Sequence, residues 1–153
     1  MSSRLQFLLY RWPRLSGAVA FGVPAAALVH FAWYSDARMS GIHPELTAAA
    51  GLAHAVAGFL TGPLLLGGAA GGRSTTRALA VGGATSLLAL AVFAPAMAAW
   101  LLKGSASAPS VLGYVVTTVY TAFFAFLGAG WALLLLSALV GLALHGVASR
   151  RGA

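Results

Sequence analysis

From Val111 to His145 the chain runs 35 residues without an Asp, Glu, Lys or Arg, and three further stretches are equally free of charge: Leu15 to Tyr34, Ala48 to Ala70 and Ala78 to Leu102. A run of about 20 apolar residues is what a helix needs to cross ~30 Å of hydrocarbon. Within lipid every backbone amide must find its partner inside the protein, which leaves only helices and closed barrels. A barrel strand alternates apolar and polar residues, whereas these runs are unbroken and rich in Ala and Leu. The expected fold is therefore an all-α membrane protein, a four-transmembrane-helix bundle in which residues 1–153 form one integral domain lying in the lipid bilayer.

Basic residues orient such a bundle, because short loops retain Lys and Arg on the cytoplasmic side. In a four-span chain Arg4, Arg11, Arg14, Arg73, Arg77, Arg150 and Arg151 share one side, and only Arg38 and Lys103 fall on the other. The expectation is N-in/C-in. Trp12, Trp33, Tyr34 and Trp100 lie near the span boundaries, where amphipathic rings collect, while Trp131 does not. The first apolar run exceeds a secretory core and no small-x-small cleavage site follows it, so it reads as a retained anchor. Ahead of it, Leu5, Leu8, Leu9 and Trp12 recur at helical spacing beside Arg4 and Arg11, the pattern of a short interfacial N-terminal helix.

The fourth run would make a helix of about 52 Å at 1.5 Å per residue, longer than the hydrocarbon is thick. One long tilted helix is expected, with Val111 to Tyr120 at the outer interface and Gly128 and Gly130 as its weakest points. The alternative is a hairpin of two half-length segments. Between the second and third spans, Ser74 or Thr75 is placed to cap the third helix. The two arginines there lack the spacing of a phosphate loop and read as headgroup anchors.

Composition removes most chemistry. Charged residues are 7% of the chain and hydrophobic ones 60%, against about a quarter charged in soluble domains. With no cysteine, there is no disulfide, thiolate metal site or cysteine nucleophile. Asp36 and Glu45 are the only side-chain carboxylates, and both belong to the expected outer loop from Ser35 to Thr47. Hydrolytic dyads and oxygen-ligand metal cages have almost no raw material, so the balance of residues leans toward a non-catalytic chain. A net charge of +7 does not imply nucleic acid, because the arginines are dispersed at membrane boundaries.

Two features remain. Helices in lipid associate by close approach and polar contacts, and in the second span Gly51, Ala55, Gly58 and Gly62 form a nearly straight stripe of small residues. This stripe is the expected helix-packing surface, whether for a homo-oligomer or for a larger membrane complex. Pro24, Pro63 and Pro95 interrupt the first three spans and predict kinks, with hydroxyls such as Thr61 available to satisfy freed carbonyls.

Inside the predicted spans the titratable side chains are His30 and His54. Counted from Tyr34 and Ala48, both lie ~6 to 9 Å below the outer boundary, so they are candidates to share a level. Paired imidazoles on neighbouring helices suit a b-type haem, and the same pair suits a quinone. His43 and His145 read as structural. The leading expectation is a small accessory or self-associating membrane subunit; the alternatives are a His-ligated cofactor subunit using His30 and His54, or a small oligomeric transporter. The Ala-, Gly-, Leu- and Arg-rich composition points to a bacterial inner membrane.

Overall fold

The computed structural model describes residues 11–34, 43–66, 74–103 and 110–149. They form helix α1 (Pro13–Tyr34), α2 (His43–Leu66), α3 (Thr75–Leu102), α4 (Val111–Ala125), a π-helical turn (Phe126–Gly130) and α5 (Trp131–Ser149), with no strand among them. α4, the π turn and α5 follow one another without a gap. Four rods are thus long and apolar enough to cross a membrane: Pro13–Phe31, Pro44–Leu66, Thr75–Leu102 and Val111–Val147. The fourth is one rod and not a hairpin, and the π turn falls on the two glycines that weaken it. The expected helix around Leu5, Leu8 and Leu9 lies outside the described residues, as do Asp36, Arg38 and the segment from Gly67 to Arg73.

Local chemistry explains the helix starts. The Ser74 hydroxyl accepts from the Arg77 amide at 3.1 Å and caps α3, and Ser110 does the same for α4 with Gly113 at 3.0 Å. α2 begins at His43 rather than at the expected Ala48. Pro44 lacks an amide hydrogen that a first turn leaves unused, and Glu45 places a negative charge at the positive end of the helix. The residues from His43 to Thr47, expected as loop, are therefore helical.

The helices pair antiparallel through missing side chains. A methyl group built on Gly22 would meet the Ala55 methyl at 2.9 Å, and one on Gly51 would meet the Ala26 methyl at 2.9 Å. Further along, one on Gly58 would run into the Gly17 carbonyl, and one on Gly62 into the Pro13 carbonyl. These pairs set the register of α1 on α2. A second seam joins α3 to α5, where a methyl on Gly82 would lie 2.9 Å from Ala138 Cα and one on Gly141 would lie 2.5 Å from the Ala78 carbonyl. The termini of the bundle at Pro13, Leu66, Thr75 and Ser149 form one end, here the near end; Tyr34, His43, Leu102 and Val111 form the far end.

Larger side chains fill what the seams leave. Near the near end Phe21, Leu65, Leu66, Ala78 and Leu144 form one buried cluster, and at mid-height Ala53, Ala57 and Ala89 form another against Leu88 and Phe93. The Tyr114 hydroxyl donates to the Pro95 carbonyl at 3.0 Å. Tyr114 lies much farther along its rod from Ser137 than Pro95 lies along α3 from Gly82, so the fourth rod and α3 do not run in step along their whole length. Helices α1, α2 and α3 continue through Pro24, Pro63 and Pro95.

Candidate functional site

Most polar side chains within the rods are bonded to backbone close by. Thr117 donates to the Gly113 carbonyl at 2.8 Å and Thr118 to that of Tyr114 at 2.9 Å. Both are bonded back onto α4. Thr61, expected to serve carbonyls freed at Pro63, instead reaches the Ala57 carbonyl at 3.0 Å and the Thr85 hydroxyl at 2.8 Å. Thr85 in turn lies 2.7 Å from the Val81 carbonyl. The two hydroxyls hold two protons for three contacts, so one proton is shared or one contact is unprotonated at any instant. This pair fastens α2 to α3.

His54 is different. It is buried, 5% exposed, on the side of α2 that faces α3. Its Nδ1 is 2.9 Å from the Ala50 carbonyl. A carbonyl only accepts, so Nδ1 carries the ring hydrogen and Nε2 presents a lone pair. That lone pair faces the Ser86 hydroxyl at 3.5 Å, the outer limit of a hydrogen bond. His54 and Ser86 together line a cavity of about 60 Å³ whose other walls are carbon: Leu90 and Phe93 of α3, Leu133 and Leu134 of α5, and the π turn. A π turn widens the helix by one residue and displaces the wall locally; Phe126, Ala129 and Gly130 all line the chamber. None of Pro24, Pro63 and Pro95 lines it.

His30 does not join this site. It is exposed and lines a different, open groove between α1 and α2, along with Gly22, Ala26, Thr47, Gly51 and Ala55. The register explains the separation: Gly22 faces Ala55 and Ala26 faces Gly51, so His30 falls opposite Thr47, about 10 Å along α2 from His54. The expected common level assumed that α2 starts at Ala48. Its true start at His43 moves the far end of α2 away from His54, leaving that residue near the middle of Pro44–Leu66. A chamber of about 60 Å³ is also far below the ~300 Å³ at which cofactor-sized pockets begin. Among the described residues, no three His, Cys, Asp or Glu side chains gather to hold a metal ion.

The expected packing stripe is occupied from within. Gly51, Ala55, Gly58 and Gly62 lie against α1 of the same chain, so a partner does not meet them while α1 is in place. Ser86 and the π-turn residues are the site members that sequence reading passed over. Ser86 was one hydroxyl among many, and the glycines at 128 and 130 signalled a weak point without saying what it would border. Compared with protein-family models, with curated proteins and with solved structures, the chain matches none.

Proposed function

We propose that this is a small integral membrane subunit of non-catalytic, accessory type, which associates laterally with copies of itself or within a larger membrane complex through its fourth rod. The observation that carries this reading is Trp131. It lies in the middle of the span Val111–Val147 and is 58% exposed, so its indole ring and N–H face outward from the bundle. A donor left bare in hydrocarbon is costly, and a neighbouring helix that offers an acceptor removes the cost. Exposed rings continue the same rod toward the far end: Tyr120 stacks on Phe124 with centroids 6.3 Å apart, and Phe123 meets Phe124 edge-on at 5.6 Å. Aromatic residues of this kind dominate helix and protein contacts because they cover much area at little entropic cost.

The remaining observations agree with an accessory role. Thr61, Thr85 and Tyr114 are committed to contacts within the chain, and among the described residues no Asp or Glu gathers with His side chains in the rods, as coupled transport would use. Arg11, Arg14 and Arg77 lie at the near end, against Lys103 at the far end, which supports a cytoplasmic near end in a bacterial inner membrane. The test is crosslinking or single-molecule photobleaching of the full chain in bilayers. Trp131→Ala should reduce the assembled fraction at least fivefold while leaving the helical content intact; assembly indifferent to Trp131→Ala and Phe124→Ala overturns the reading.

A further inference from the structure

The His54 chamber has a polarity of its own that lateral assembly does not use. Its acceptor is fixed: the Ala50 carbonyl at 2.9 Å holds the ring hydrogen on Nδ1, so Nε2 points a lone pair at the space. The nearest donor, Ser86, stands at 3.5 Å, too far to saturate it. Every other lining side chain is apolar. The volume of about 60 Å³ is several times the ~10–15 Å³ that one water needs and well under the ~150 Å³ of a cavity that takes benzene. A linear group fits and a ring does not. Two of the lining residues, Leu87 and Phe126, are 55% and 40% exposed, so the chamber opens sideways between α3 and the π turn, toward the phase that bathes the apolar faces of the bundle.

The geometry points to a binding site for the hydroxyl end of a linear aliphatic alcohol entering from the bilayer. The ligand O–H donates to Nε2 of His54, the Ser86 hydroxyl donates to the ligand oxygen, and the chain leaves past Leu87 and Phe126. A ketone, ether or quinone oxygen has only lone pairs to set against the Nε2 lone pair, so the chamber selects donors over acceptors.

The test uses the full chain in detergent micelles and 1-octanol carrying a diazirine in its chain, beside the methyl ether of the same probe. After irradiation, insertion is mapped by peptide mass spectrometry. The alcohol should label residues 87–93 and 125–134 about five- to tenfold more than the ether, the margin of one hydrogen bond in a buried setting. Ala129→Leu, which narrows the chamber while leaving the His54 imidazole in the chain, should abolish that labelling, and His54→Phe should bring the alcohol-to-ether ratio to about one. Equal labelling of the wild-type chain by alcohol and ether overturns the proposal, as does labelling that persists in Ala129→Leu. The comparison of probes on the wild-type protein decides the matter even where a variant does not fold. Neither result depends on oligomeric state, so failure here leaves the Trp131 reading standing, and the reverse.

Discussion

The α1–α2 seam and the His54 chamber lie on the two sides of the same helix, and they are built by opposite means. On one side α2 gives up its side chains, so that Gly58 and Gly62 receive the backbone of α1 within what would be the radius of a methyl group. On the other, α2 presents an imidazole, and the opposing rod steps outward by a π turn to make room for it. The first side is cohesive because no space is left between backbones. The second is hospitable because space is left beside a polar atom. A helix in lipid gains nothing from burying apolar area against its neighbours, so tightness has to come from shape, and one tight face allows the other to be loose.

This contrast is easiest to break at the seam. Gly58→Ala should cost about 2 kcal/mol of unfolding free energy, and Gly58→Ile should cost more, since overpacking a closed contact leaves no neighbour free to yield. Both are read by thermal or denaturant unfolding in detergent. The loss should be independent of protein concentration, because the contact is internal; a loss that disappears on dilution would mean that the stripe serves another chain. Gly82→Ala should behave similarly, since its new methyl would meet the backbone of α5.

A smaller effect is expected between seam and chamber. Thr85→Val removes a hydroxyl that is fully buried between Thr61 and the Val81 carbonyl, and should cost about 1 kcal/mol, typical of a side-chain hydrogen bond between membrane helices. At the chamber, Ala129→Leu adds three carbons where there is room and should cost less than about 1 kcal/mol. If Ala129→Leu proved as damaging as Gly58→Ala, the chamber would not be loose in solution. Smallest of all is Gly83→Ala. Nothing lies within 4 Å of a methyl group there, so the change should be neutral or stabilise by up to ~1 kcal/mol through helix propensity alone. Gly82 and Gly83 are adjacent, and opposite signs at the two positions would show that contact, and not glycine content, governs stability.

The sequence displayed some of this plainly. Charge-free runs of sufficient length announced four rods, and Ser74 announced the start of α3. The start of α2 was also written there, in Pro44 and Glu45, but the hydropathy of Ala48 onward outweighed two local signals that a count of apolar residues does not register. The stripe of Gly51, Ala55, Gly58 and Gly62 was visible as a surface made for close approach. Its partner was not, because the complementary Gly17 and Gly22 lie five residues apart, a spacing that forms no straight stripe on a helix. The histidines illustrate the limit most clearly. Distance from a helix end is a sequence quantity, but the ends were misplaced by a few residues, and a few residues along a helix decide whether two rings meet or stand about 10 Å apart.

What the chain determines by itself is the solvent it needs and the number of times it is able to cross it, because both follow from sums over long segments in which single residues hardly matter. Which face of α2 meets α1, that Ser86 rather than His30 stands beside His54, and that the fourth rod swells where it passes them were decided only in the tertiary structure. Those are matters of rotation and register between helices, and a shift of one residue turns a helical side chain by about 100°. No property of an isolated segment contains that angle, since it is settled by which pairs of small residues bring two backbones closest together.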